Sequence, residues 1–268
     1  MASTSSAGIK IIKDDEIDAK HFEKDLMRCS IPKIPSEQIY KREGFKLMPD
    51  YSIETYEQTT SLTIEQDTVP LFDEEFFTKH KRKYKFLHVG SVQVMASPLT
   101  RLGINNSIIV CLRDGRRSTP RDSLLGLVET SLCQGPIYFH CFPNRTIPLT
   151  GISVHRTIFL YVLKYNYNMV PGCHPIDLSY RVRCKLMAVD SDSGALVQSL
   201  KGETKCFHII RQSNEIVTRT TKWDQFEINQ KNTSHQFEIN QKNTSPTQEV
   251  IQVGEQIKLA DRGVSVLP

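Results

Sequence analysis

One carboxylate in this chain stands among several arginines. Asp114 directly follows a short, apolar and β-branched run at 107–112, which is typical of a strand buried on both faces. Three basic neighbours lie within three residues of it: Arg113, Arg116 and Arg117. Guanidinium groups bind carboxylates through paired hydrogen bonds and keep them ionised. We therefore interpret Asp114 as a structural anchor at the mouth of a strand rather than as a catalytic acid.

Two histidine–cysteine pairs offer the atoms that zinc prefers, namely His140–Cys141 and Cys173–His174. Their spacing fits no standard zinc finger, and adjacent residues of a strand point to opposite faces. The chain also has no glycine-rich phosphate loop, nucleophile elbow or assignable pair of acids. We predict a protein that is not an enzyme and that holds neither metal nor cofactor. A zinc-dependent hydrolase using His140 or His174 is the weakest of the alternatives.

A dense basic run at 79–85 is the first candidate site for a polyanion. Lysine and arginine neutralise phosphates without reading sequence, and an aromatic side chain can stack on a base. We predict that this run binds single-stranded nucleic acid, and the alternative is a solvated linker. The candidate residues are Lys79, Lys81, Arg82, Lys83, Tyr84 and Lys85.

Two further basic clusters are candidates for the same partner. Apolar and polar residues alternate strictly over 178–186, as in a half-buried strand, with basic side chains two residues and about 7 Å apart on the polar face. That face carries Arg181, Arg183 and Lys185. The other cluster surrounds Asp114, and we expect one or two of its arginines to pair with that acid. It consists of Arg113, Arg116, Arg117 and Arg121.

Charge is distributed unevenly along the chain. The net charge of +4 divides into −7 over residues 1–78, +12 over 79–211 and −1 over the remainder. A basic middle part is consistent with a polyanionic partner, although uneven charge also simply aids solubility. No apolar run approaches the roughly 20 residues that cross a bilayer. The N-terminus lacks the pattern of a secretory signal, and seven scattered cysteines indicate reduced thiols and a cytosolic protein.

The elements that must position these residues are mostly strands. Thr119 and Pro120 can begin a helix, which Leu124, Leu125, Leu127 and Val128 would continue on one apolar face. Short strands separated by turn signals favour a mainly β fold, a jelly-roll-like sandwich or barrel with this one inserted helix. The predicted strands are 86–94, 107–112, 137–142, 151–165, 178–186, 195–200 and 205–210, and the predicted helix is 120–132.

The composition and the apolar–polar pattern of the sequence divide the chain into three regions. Residues 1–70 are predicted to be an extension outside the core, with a helix near 14–28. Residues 71–211 are predicted to be the β-rich core domain. Residues 212–268 form a polar tail that we expect to be largely disordered, in which the segment 225–234 recurs at 236–245 with an offset of eleven.

The motif Leu112-x-Asp114, followed 58 residues after the acid by Gly172, resembles the signature of the thirty-kilodalton superfamily of plant virus movement proteins. The surrounding order of elements agrees, since a strand precedes the motif, Arg116 follows it, and a helix and another strand come next. The resemblance extends over roughly residues 70–211. It implies a jelly-roll-like domain related to viral coat proteins, with Leu112, Asp114 and Gly172 at the motif positions and Asp114 in a structural role.

The same resemblance implies a function that the residues alone do not give. It implies cooperative, sequence-independent binding of single-stranded nucleic acid, with RNA favoured, and transport of a viral genome through plasmodesmata. Host plasmodesmal proteins, peripheral association with endoplasmic reticulum or plasma membrane, and self-association into a homo-oligomer are the expected partners. The runner-up is a jelly-roll coat protein that packages the genome, because basic arms on such a fold suit that role as well.

Overall fold

The computed structural model describes residues 19–41, 50–104, 106–151, 154–200 and 202–222. Antiparallel strands dominate these ranges, and short helices flank them. The helices are α1 (Ala19–Met27), α2 (Ser36–Ile39), α3 (Glu74–His80) and α4 (Pro120–Ser123), and a 3₁₀ turn covers Val154–Arg156. The strands are β1 (Tyr51–Leu62), β2 (Thr68–Pro70), β3 (Phe86–Pro98), β4 (Ser107–Asp114), β5 (Leu124–Thr130), β6 (Ile137–Cys141), β7 (Arg145–Pro148), β8 (Ile158–Tyr165), β9 (Ile176–Met187), β10 (Glu203–Ile210) and β11 (Glu215–Lys222).

Two sheets pack face to face. The larger has the order β1-β9-β3-β6-β10-β11, with β7 added along part of β3, and the smaller has the order β2-β8-β4-β5. Every ladder is antiparallel, and most neighbours are distant in sequence. This confirms the predicted mainly β, jelly-roll-like sandwich.

The predicted strand alternation determines which side chains form the core. On β9, Leu178, Val182 and Leu186 point into the space between the sheets, and β4 contributes Val110 and Leu112 from the other side. Burial of such a shared apolar layer is the main force that holds two sheets together.

Residues 19–62 differ from the extension predicted for 1–70. All twelve residues of β1 pair with β9, so this strand extends the larger sheet. Leu26, Ile39 and Tyr40 are buried on the outer face of that sheet, which α1 and α2 cover. Gly90 permits this close packing, because an added Cβ would lie 2.6 Å from Tyr40 Cζ. The predicted helix near 14–28 is observed at Ala19–Met27, and residues 14–18 lie outside the described ranges.

The predicted inserted helix over 120–132 is wrong beyond its first turn. Thr119 caps that turn as expected, with its Oγ1 accepting a hydrogen bond of 3.2 Å from the Asp122 amide. From Leu124 onwards the chain is β5, which pairs with β4. An apolar run of this length is compatible with the periodicity of a helix and with that of a strand. It forms a strand here because β4 offers a free edge with which it can pair.

The C-terminal part of the core also differs from the prediction. Segment 195–200 forms only isolated bridges, and β10 pairs instead with β6 and with β11, which lies in the predicted tail. The predicted bent strand over 151–165 is realised as the 3₁₀ turn followed by β8. The tandem duplication at 225–245 and the expected disorder after it lie outside the described residues.

All seven cysteines are free thiols in this structure. Burial raises the pKa of the Cys111, Cys141 and Cys206 thiols to about 12, which keeps them protonated and unreactive. None of the helices in the part of the chain that the structure describes has the length and hydropathy to cross a membrane.

Candidate nucleic-acid interface

Asp114 lies at the end of β4 and is almost completely buried, with 1% of its surface exposed. Its carboxylate accepts hydrogen bonds from the Nε (2.9 Å), Nη2 (2.8 Å) and backbone amide (3.1 Å) of Arg116. Arg113, by contrast, donates from its guanidinium to Ser123 Oγ. The expectation that one or two arginines pair with this acid is thus fulfilled by Arg116.

Two opposing effects act on the pKa of Asp114. Burial raises the pKa of the carboxyl, because it penalises the charged form. The hydrogen bonds from Arg116 and the charges of Arg116 and Arg145 outweigh that penalty, and the pKa falls below its ordinary value. The acid therefore stays ionised, and its charge is neutralised inside the protein rather than presented to solvent.

The loop after Asp114 connects three separate segments of the chain. The Gly115 amide donates to the Thr157 carbonyl at 2.7 Å, and an added Cβ at Gly115 would lie 2.7 Å from the Arg156 carbonyl oxygen. Arg116 also donates from Nη1 to the Thr146 carbonyl of β7 at 3.1 Å. Asp114 thus holds a loop against both the 3₁₀ turn and β7.

The basic run 79–85 lies at the same end of the sandwich. Asp73 caps α3 by accepting from the Phe76 amide at 2.7 Å, and the helix ends at His80 in a tight turn that leads into β3. The Lys85 carbonyl accepts from the Leu149 amide at 2.8 Å, directly after β7, and α3 contacts the 3₁₀ turn. These contacts place the run beside the Asp114 loop.

We call this surface the basic end. Exposed lysine and arginine side chains from three separate parts of the sequence meet there, which concentrates positive charge on one end of the molecule. Arg156 was missed by the sequence analysis, because only the pairing of β4 with β8 places it beside Gly115. The members of the basic end are Lys79, Lys81, Arg82, Lys83, Lys85, Arg116, Arg117 and Arg156.

Tyr84 does not contribute an exposed ring to the basic end. It is only 6% exposed and packs in the core between the sheets. Lys83 Nζ lies 5.2 Å from the ring centroid. The predicted stacking of Tyr84 on a base is therefore wrong for this structure, and the residue positions the turn instead.

The predicted basic face of β9 is covered by protein. Arg181 donates to Glu57 Oε1 at 2.6 Å and to the Ile31 and Pro32 carbonyls at 2.9 Å. Lys185 is 2% exposed and donates to the Ser193 carbonyl at 3.0 Å. Arg183 is half-buried between them. The alternation of β9 was predicted correctly, but its polar face packs under the N-terminal segment and is not an open groove.

The motif residues lie far apart. Leu112 is completely buried in the core close to Asp114. Gly172 follows the opposite end of β8, about 25 Å away along that strand. It adopts a φ of +83°, which glycine tolerates best, and its amide donates to Glu65 Oε1 at 3.2 Å. Gly172 therefore shapes a turn at the other end of the sandwich and takes no part in the basic end.

The two histidine–cysteine pairs do not come together either. His140 and Cys141 are buried in β6, whereas Cys173 and His174 lie in the loop before β9. No cluster of potential metal ligands is found within the described ranges.

The fold and the basic end together define a class of protein. This is an antiparallel two-sheet β protein with a neutralised internal acid and a positively charged end. The family described as "Viral movement protein (MP)" matches residues 63–203, slightly more than half of the chain. The chain therefore belongs to the viral movement protein family.

Relatives support this assignment at modest identity. The movement protein of figwort mosaic virus is 28% identical over 103 residues, which are 38% of this chain and 32% of that protein. That of carnation etched ring virus is 29% identical over 97 residues, or 36% and 30% of the two chains. That of cauliflower mosaic virus (strain D/H) is 27% identical over 123 residues, or 44% and 38%. The chain thus matches about a third of the length of these relatives.

Solved structures give a weaker likeness. A turnip yellow mosaic virus chain aligns with a TM-score of 0.37 at 10% identity, covering 55% of this chain and 99% of that one. A cocksfoot mottle virus chain aligns with a TM-score of 0.36 at 13% identity, covering 60% and 97%.

Proposed function

We propose that this movement protein binds single-stranded nucleic acid through the basic end, without reading its sequence. The observation that carries the proposal is that eight exposed lysine and arginine side chains from three segments gather around the Asp114 loop. Phosphate neutralisation by lysine and arginine is sequence-independent and needs no pocket. RNA is the favoured cargo.

Family membership extends the proposal to transport. The bound strand is a viral genome, and the complex passes between plant cells through plasmodesmata. Host plasmodesmal proteins and peripheral contact with endoplasmic reticulum or plasma membrane belong to the same proposal, supported by the family alone. A fluorescent fusion of the full chain should collect as spots at the cell-wall junctions of leaf cells, and uniform cytoplasmic fluorescence would contradict the transport role.

Binding is tested by titrating the full chain against a labelled single-stranded oligonucleotide over a range of salt concentrations, once with RNA and once with DNA. The variant replaces Lys81, Arg82 and Lys83 with alanine, because all three are exposed on the turn after α3. On a single strand each phosphate contact contributes about 0.7 to the slope of log affinity against log salt, so the slope should fall by about 2.

A matched control replaces three exposed basic residues elsewhere with alanine, namely Lys24, Arg28 and Arg101. This control loses the same net charge, so it separates a local contact from a general effect of charge. We expect it to retain nearly the slope of the unmodified chain. Equal slopes for the two triple variants would remove the turn after α3 from the interface.

A further inference from the structure

The two sheets differ in whether their edge strands are protected against pairing with another chain. In the smaller sheet, β2 is only three residues long and ends in Pro70, which cannot donate to a further strand. At its other edge, the Leu127 amide of β5 donates to Thr204 Oγ1 at 3.0 Å. Such short or satisfied edges resist pairing with another chain.

The larger sheet ends in two long edges without such protection. Among the described residues, β1 pairs only with β9 and β11 only with β10. β1 is twelve residues long and β11 is eight residues long. Neither strand contains glycine or proline. Most side chains of β11 are exposed on both of its faces. A long unpaired edge of this kind is a template for another strand.

The direction of the strands fits addition of a second copy. Six antiparallel strands lie on the path from β1 to β11, so the two edge strands run in opposite directions. A second copy in the same orientation therefore presents its β1 antiparallel to β11 of the first. The ladder then continues from one copy into the next.

Charge selects this pairing over the two symmetric alternatives. β1 carries Glu54 and Glu57 and no lysine or arginine, although Glu57 is already paired with Arg181 of β9. β11 carries Arg219 and Lys222 against the single acid Glu215. Pairing β1 with β1, or β11 with β11, brings like charges together, which is unfavourable across strands. Pairing β1 with β11 brings opposite charges together.

A single register satisfies these requirements. Glu54 lies opposite Cys184, and Arg219 lies opposite Cys206, so both side chains point to the face that carries the core. When Glu54 stands opposite Arg219, Tyr51 stands opposite Lys222, and every residue of β11 has a partner on β1. Glu54 retains 32% exposure of its side chain for this contact, although its carboxylate also lies 3.8 Å from His80 Nε2 of the same copy.

We infer that β1 of one copy pairs with β11 of the next, antiparallel and in this register, so that the protein assembles head to tail. A head-to-tail contact is open-ended and produces rings or filaments rather than closed dimers. Tyr51 and Lys222 both lie towards the basic end, as the ladders through β9, β3, β6 and β10 require. Successive basic ends then line one side of the assembly as a continuous positive track.

The test uses the full chain without nucleic acid, in sedimentation velocity across a range of protein concentrations at low salt. Glu54→Lys and Arg219→Glu each reverse one side of the contact. We expect each single variant to raise the concentration at which assembly begins by about tenfold, since a favourable charge pair becomes repulsive. The double variant carries the pair in exchanged positions and should assemble like the unmodified chain.

Arg101→Glu, an exposed reversal in the loop after the central strand β3, is the matched control and should assemble normally. Circular dichroism confirms that each variant is folded, and the recovery in the double variant excludes misfolding as the cause of any loss. A chain that stays monomeric at all concentrations would overturn the inference. So would a loss confined to one of the two single variants, which indicates a symmetric contact, or a double variant that fails to recover.

Discussion

The guanidinium of Arg116 makes a bidentate hydrogen bond to the carboxylate of Asp114, which lies only two residues earlier in the chain. Its Nε and Nη2 atoms are 2.9 and 2.8 Å from the two carboxylate oxygens. The acid is buried, whereas the arginine is 38% exposed and reaches on to the Thr146 carbonyl. The same pair therefore ends β4 and fixes the loop on which part of the basic end is built. Stability and the proposed binding surface are linked through this one contact.

Replacing Asp114 with asparagine should lower the free energy of unfolding by about 2 kcal/mol, because charged hydrogen bonds to Arg116 are lost in a buried site. Urea denaturation measures this change. Glu203→Gln is the matched control, since its side chain is 43% exposed and lies 3.9 Å from Lys222, which is 59% exposed, and it should cost less than about 1 kcal/mol. Equal losses in the two variants would contradict the anchor role.

The stabilisation by Asp114 should depend on pH in a defined direction. Its pKa is lower in the folded chain than the ordinary value of 3.8, so the folded state favours the ionised form. The difference in unfolding free energy between the unmodified chain and Asp114→Asn should be complete above about pH 5 and shrink as the pH falls through the folded pKa. Denaturation series at several pH values measure it, and a difference that grows on acidification would refute the assignment.

His88 should make the fold sensitive to mild acid. Burial lowers its pKa to about 4, against the ordinary 6.5, although its hydrogen bond of 2.8 Å with Asn144 acts in the other direction. Between these two values the unfolded chain binds the proton and the folded chain does not, so stability falls as the pH drops, by at most about 1.4 kcal/mol per pH unit. His88→Gln should flatten this fall, which urea denaturation of both chains at several pH values between 4 and 6.5 measures.

Tyr84→Leu, which removes the aromatic ring, should leave the affinity for single-stranded nucleic acid within about twofold of the unmodified value, because the ring is buried in the core and cannot stack on a base. The same salt titration measures it. A large loss of affinity in a variant that circular dichroism shows to be folded at the assay temperature would show that the ring reaches the ligand, and would restore the stacking predicted from the sequence.

The strands that could be predicted from sequence are those whose pattern has only one solution. The alternation over 178–186 and the β-branched run at 107–112 correspond closely to β9 and β4. The run from Leu124 to Val128 has no such unique period, and Gly126 within it lies close to Cys141, 3.4 Å from an added Cβ to Sγ. Its conformation is set by pairing with β4, a tertiary contact that a local pattern does not contain.

Binding surfaces were harder to predict, because a pattern shows which residues share a face but not what covers that face. Arg181 and Lys185 do lie on one face of β9, yet residues about 150 positions earlier, Ile31 and Pro32, supply the carbonyls that Arg181 binds. The run at 79–85 was simpler to identify, since a turn between a helix and a strand places charged side chains in solvent. Arg156 required the fold itself.

The most direct test of the basic end is hydrogen–deuterium exchange of the full chain with and without a single-stranded RNA oligonucleotide at low salt. The account predicts slower exchange on binding in the segments 79–85, 115–117 and 154–157, which surround the Asp114 loop. Segments 99–104 and 131–135, at the opposite end of the sandwich, should exchange as before. Slower exchange confined to that opposite end, with 79–85 and 115–117 unchanged at saturation, would contradict the account.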